Sequence, residues 1–181
     1  MKQTVTTIIG LAAAVCVSLA PLARAEFAEP GAGQIAAAAN APAAEMAGLL
    51  HDASSEQAAN VVKAVIAKVL TLGLASDVQA ARIAAVITGS FAAIPAQNHM
   101  AFAAALGTAV ASSPAITTAN GTVSQIQTAV AAAGGTQNGA ALAQSFGTAY
   151  DTAVQQNSGS GDKKTEGDTP PVGTLYDGQN R

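Results

Sequence analysis

Apolar residues recur at intervals of three and four along the middle of this chain, and that spacing predicts helices rather than strands. The clearest stripe is Val61, Val62, Val65, Ile66, Val69 and Leu70, which predicts a helix over about 55–72. Ser54 stands three residues before Gln57, the spacing of a capping box, in which two side chains satisfy orphan amides at a helix start. A second helix over about 77–93 carries Ile83, Val86, Ile87 and Phe91, with Ile94 just beyond, and Ser76 and Gln79 repeat the box spacing. A third, over about 97–111, places Phe102, Leu106 and Val110 in one row, and Ser113-Pro114 reads as a cap followed by proline at the first helical position. Val123, Ile126 and Val130 predict a fourth over Val123–Ala133, ended by Gly134-Gly135. Leu142, Phe146, Tyr150 and Val154 predict a fifth over about 137–155, and a shorter helix is expected at Pro42–His51. The expected fold is all-α: five or six short alanine-rich helices. Short connections turn neighbouring helices back on each other, giving an antiparallel bundle or a small helical-hairpin array.

The two ends read differently. Lys2, an apolar run from about Ile8 to Leu22 and the small-x-small sequence Ala23-Arg24-Ala25 follow the order of a cleavable signal peptide over residues 1–25. The run falls short of the roughly 20 apolar residues of a transmembrane helix. Residues 26–43, rich in Ala, Gly and Pro with turn chemistry at Glu29-Pro30-Gly31, read as a linker with a helical turn near Ile35–Ala39. The helical domain is expected over 44–156. Residues 157–181 combine a Gly/Ser stretch, a charged stretch and Thr169-Pro170-Pro171, a composition with too little apolar surface to offset its ordering entropy, and are expected to be a disordered tail.

The predicted helices start at even spacing, and the chain repeats itself. Gln97–Val110 aligns with Gln137–Tyr150 at an offset of forty residues, with Gln97/Gln137, Asn98/Asn138, Ala101/Ala141, Ala103/Ala143, Gly107/Gly147, Thr108/Thr148 and Ala109/Ala149 identical. Gln57-Ala58-Ala59 likewise matches Gln79-Ala80-Ala81. The unit suggested is a helix with its turn of about twenty residues, two making a hairpin.

Charge narrows the partners. All 11 acidic residues lie beyond residue 25, whereas Lys2 and Arg24 lie within the leader, so cleavage leaves six basic residues and a net charge of −5. That balance argues against nucleic acid, whose binding rests on basic patches that release counterions. Between Ile83 and Tyr150 there is no Asp, Glu, Lys or Arg. The polar surface of this stretch has to be Gln, Asn, Ser and Thr, which suits a face that meets a protein partner or a second copy. The alternative is a membrane-active or pore-forming helical protein, with Ala101, Ala105 and Ala109 as a close-packing stripe. The amides Gln97, Asn98, Gln125, Gln127, Gln137 and Asn138 weigh against it, being costly in hydrocarbon.

Little in the sequence points to chemistry. Cys16 is the sole cysteine and lies in the leader, with Val15 rather than a small residue before it, which disfavours lipid attachment; the processed chain holds no thiolate ligand and no disulfide. His51 and His99 are the only histidines. His51 and Asp52 are adjacent, and adjacent residues do not share a helix face; His99 has no acidic neighbour in sequence. Both read as polar helix-end residues. Glu56 and Asp77 sit where the helix dipole favours negative charge. Glu45 and Asp52 likewise fall at helix ends or in loops. Lys63 and Lys68 read as stems covering apolar surface. Tyr176, in Leu175-Tyr176-Asp177, is the one aromatic of the tail. No Gly-x-Ser-x-Gly elbow or phosphate loop is present. The expectation is therefore an exported, periplasmic or secreted, non-enzymatic structural or interaction module with no catalytic, cofactor-binding or metal residues, which associates with itself or with another protein.

Overall fold

A computed structural model describes residues 27–159. The proposed leader, residues 1–25, and most of the proposed tail lie outside the described residues. Among the described residues the fold is all-α: α1 (Ala32–Asn40), α2 (Pro42–Leu49), α3 (Ser55–Leu70), α4 (Ser76–Ala93), α5 (His99–Ala111, preceded by a 3-10 turn at Ala96–Asn98), α6 (Pro114–Thr117) and α7 (Thr122–Gly159).

Helix α3 forms as its sequence predicts. Ser54 Oγ accepts the Gln57 N–H at 3.2 Å, and the Gln57 side chain accepts the Ser54 N–H at 2.9 Å, closing the capping box. The parallel expectation for α4 is corrected. Its cap is Ala75, so Ser76 is already helical and Gln79 lies one position too far along; the Gln79 N–H bonds to Ala75 O at 2.8 Å instead. Pro114 does open α6, although the Ser113 side chain makes no capping bond.

The segment read as a linker over 26–43 is also corrected. It contains the full helix α1, where only a turn near Ile35–Ala39 was expected, whereas α2 starts at Pro42 as the expected helix Pro42–His51 does. Ala38 and Ala39 are fully buried. Alanine gives no apolar stripe of its own to read, yet its helix propensity is the highest of all, and its small side chain lets α1 lie close on α3. The Phe27 and Ile35 side chains also pack against the core. Arg82 of α4 fastens this helix: its guanidinium donates to Ala39 O at 2.9 Å and Asn40 Oδ1 at 3.2 Å, at the negative end of the α1 dipole.

Helix α7 is two helices. Gly135, at φ 62° and ψ −162°, breaks it in a region of backbone space open essentially to glycine alone. The limbs 122–134 and 136–159 then fold back antiparallel. Gln127 Nε2 donates to Ala143 O at 3.4 Å, and a Cβ built on Gly139 would press into Ala131 O. Both pairings are centred on residue 135. A Cβ on Gly134 would fall 2.7 Å from Gly139 Cα, so glycine on both limbs permits their approach. Helix 4 thus ends at the predicted Gly134-Gly135, and its partner runs on to Gly159, past the expected tail boundary at 157.

Helices α3, α4, α5 and α7 surround the core, α1 and α2 close it against α3 and α4, and Ile116 of α6 is fully buried. Phe91 and Phe102 meet edge to face with ring centres 5.0 Å apart, a favoured aromatic geometry. The apolar stripes of α3, α4, α5 and α7 all face this core; Val78 and Met100 are the exposed large hydrophobics among the described residues.

Candidate interaction surface

The two segments that match at an offset of forty residues lie side by side. Gln97–Val110 covers α5 and Gln137–Tyr150 the second limb of α7, and contacts advance in the same direction along both. Ser145 Oγ donates to Met100 O at 3.2 Å. Farther along, a Cβ on Gly107 would press into Phe146 O and stand 3.0 Å from Tyr150 N. Helix backbones therefore touch at Gly107, which only a residue without a side chain allows. The equivalent Gly147 faces the first limb, where a Cβ would lie 3.2 Å from Gln127 Nε2.

This packing fixes the outer surface. With Phe102, Leu106, Leu142 and Phe146 turned inward, the repeat leaves Met100, Ala101, Ala104, Thr108, Ala141, Gln144 and Thr148 exposed or half-buried. Between α5 and the second limb runs a shallow groove of about 410 Å³, lined by Met100, Ala104, Gln144, Ser145, Thr148 and Ala149. On the other side of α5 a second groove, about 550 Å³, runs against Ser55, Glu56 and Asn60 of α3. The outer side of α5 is thus a low ridge of alanine, threonine and serine between two troughs. Because α5, α6 and α7 pack on one another, the charge-free stretch Ile83–Tyr150 forms a contiguous region rather than scattered patches.

Of the charged residues, Glu56 borders this surface, on the α3 side of the second groove. Glu45, Glu56 and Asp77 occupy the first turns of α2, α3 and α4, where the dipole favours them. Lys63 is half-buried and donates to Asn60 Oδ1 at 3.1 Å, and Lys68 is exposed in the last turn of α3.

The histidines behave differently from each other. The His99 Nε2 stands 2.9 Å from Phe91 O and 3.0 Å from Ile94 O. Both partners are acceptors, so Nε2 carries the hydrogen and caps carbonyls at the end of α4. The ring also meets Phe91 edge-on at 5.1 Å. His51, by contrast, does meet its neighbour: Nδ1 lies 2.8 Å from Asp52 Oδ2. The helix-face argument fails here because the pair sits in the turn after α2, with Asp52 at φ 60°. They line a cleft of about 560 Å³ with Ser54, Gln57, Pro95 and Asn98. An imidazole held at Nδ1 by a carboxylate leaves Nε2 available as an acceptor, the orientation of a general base. The side chains are 79% and 46% exposed, however, and Ser54, the hydroxyl of this cleft, serves as the α3 cap and forms no hydrogen bond to His51. Among the described residues no three His, Cys, Asp or Glu side chains gather as a metal site. Tyr150 stacks on Phe146 at 6.2 Å; Tyr176 lies outside the described residues. No family model, curated protein or solved structure matches this chain.

Proposed function

We propose that this protein is an exported, non-enzymatic helical module that associates through the neutral outer face of α5 and α7. One observation supports this most: a contiguous charge-free region in which two like helices present alanine, serine, threonine and glutamine around the exposed Met100. Interfaces are depleted of charge at their centres and enriched in methionine. Shallow small-residue grooves admit close helix approach, and a second copy offers the same ridge in return. Export rests on the order of features over residues 1–25. A negative processed chain with no basic cluster suits a protein partner better than nucleic acid.

Sedimentation velocity over a concentration series tests the reading. The wild-type chain is expected to form a dimer or small oligomer as concentration rises. Ala101→Glu and Thr148→Glu, both at exposed positions, are expected to shift it to monomer with the helical circular-dichroism signal unchanged. A chain that stays monomeric throughout, or variants that associate like wild type, would reject self-association through this face.

A second reading, a membrane-active protein, draws on one observation. No single described helix is long and apolar enough to cross a membrane, but α4 and α5 together, bent by 118°, meet that test by length and composition. In this fold their apolar residues Ile83, Val86, Ile87, Phe91, Phe102 and Leu106 are buried in the core. Lipid insertion would therefore require the bundle to open first.

A further inference from the structure

The chain contains two Asn-Gly pairs among its described residues, Asn120-Gly121 in a turn and Asn138-Gly139 in a helix, and both asparagines are exposed, so backbone conformation and the following glycine distinguish them. Asparagine followed by glycine is the pair most prone to lose its side-chain amide, because no Cβ hinders attack of the following backbone nitrogen. The attack needs three things: an exposed side chain, a backbone free to leave helical ψ, and a following N–H not held by an acceptor. Asn120 and Gly121 are both exposed, in the turn between α6 and α7. Gly121 stands at φ 73°, with open space where a Cβ would be. Its N–H donates to no backbone carbonyl among the described residues, whereas Thr122 N bonds to Ala119 O at 3.1 Å and Gln125 N to Gly121 O at 3.0 Å. Asn138 lies inside the second limb of α7, and Gly139 is buried against the Ala131 carbonyl of the facing limb. Helical ψ there keeps the side-chain carbon away from the next amide nitrogen.

We propose that Asn120 is a site of spontaneous deamidation, and that the fold protects Asn138. The deprotonated Gly121 nitrogen attacks Cγ of Asn120, forming the N–Cγ bond and expelling the side-chain nitrogen as ammonia. Water then opens the cyclic imide. Attack at Cγ gives aspartate at position 120; attack at the α-carbonyl gives isoaspartate, with one extra carbon in the main chain. Either product places a carboxylate inside the stretch Ile83–Tyr150, which otherwise holds no charge. The charge appears two residues before Thr122, the first residue of α7, at the positive end of the helix dipole. The modification is thus a slow, one-way change to the neutral region that leaves the core untouched.

The test incubates the full chain in mildly alkaline buffer, folded or in denaturant, and maps peptides by tandem mass spectrometry after pepsin digestion at low pH. In the folded protein Asn120 is expected to convert at least about tenfold faster than Asn138, equivalent to about 1.4 kcal/mol of local opening before the helix reacts. In denaturant the two rates should converge, and Asn120→Gln should abolish the conversion at position 120 alone. Equal rates in the folded chain would overturn the proposal. So would conversion of both sites in denaturant but neither in the folded state, since the turn would then protect Asn120 as the helix does Asn138.

Discussion

Replacing Gly107 with alanine tests the packing on which the outer face depends. In an open helix this change is favourable: alanine exceeds glycine in helix propensity by about 1 kcal/mol. At Gly107 the new Cβ would press into Phe146 O and lie 3.0 Å from Tyr150 N and 3.2 Å from Ala149 Cβ. Two of those three atoms belong to backbone, so no flexible side-chain end is there to yield. Helix α5 and the second limb must separate, loosening the contacts of the buried Phe102, Leu106 and Phe146. Overpacking of this kind typically costs about 1–3 kcal/mol; a contact with backbone belongs at the upper end. After the propensity gain a net loss of about 2 kcal/mol remains, which for a domain of this size lowers Tm by roughly 6–10 °C. Gly48→Ala is the control. Nothing lies within 4 Å of a Cβ there, so it should raise stability by a few tenths to about 1 kcal/mol. Thermal unfolding followed by circular dichroism gives both values. The reasoning is refuted if Gly107→Ala stabilises the protein as much as Gly48→Ala does.

Other substitutions separate elements that resemble one another in sequence. Ser54→Ala should cost about 1 kcal/mol by removing the α3 cap, while Ser76→Ala should be close to neutral because Ser76 caps nothing; urea denaturation of the two variants measures the difference. Gly135→Ala should cost about 1–3 kcal/mol although it meets no neighbour, since its backbone conformation excludes side chains, and Gly135→Asn should not restore wild-type stability. Arg82→Ala should speed amide hydrogen exchange in the last turn of α1 while leaving the exchange of α5 and α7 unchanged, because its bonds end on Ala39 and Asn40.

The large apolar residues made most of this fold legible. Val61 to Val69 located α3 and Ile83 to Phe91 located α4 from side-chain spacing alone, and Gly134-Gly135 marked the end of the first limb of α7 because glycine stops helices. Helix α1 was legible only as a helical turn near Ile35–Ala39, because its buried positions are Ala38 and Ala39, indistinguishable in sequence from the alanines around them. The Ser76/Gln79 pair misled because a box depends on where the helix starts, and a shift of one residue removes it. The His51–Asp52 contact was hidden for a related reason. Rules for helix faces do not apply in a turn, and nothing in the sequence places Asp52 at positive φ. The repeat could be read as matching letters, but not as a backbone contact at Gly107. That contact depends on two helices forty residues apart arriving side by side, and it sets which alanines and threonines face outward.

Liposome flotation of residues 26–181, the chain without the proposed leader, with neutral and with anionic vesicles, tests the central claim most directly. The neutral region is taken to face protein, with the apolar stripes of α4 and α5 locked in the core. The protein is then expected to remain at the bottom of the gradient with both lipids, its helical spectrum unchanged. Flotation with either vesicle, accompanied by a change in helical signal, would show that the bundle opens to lipid and would contradict that claim.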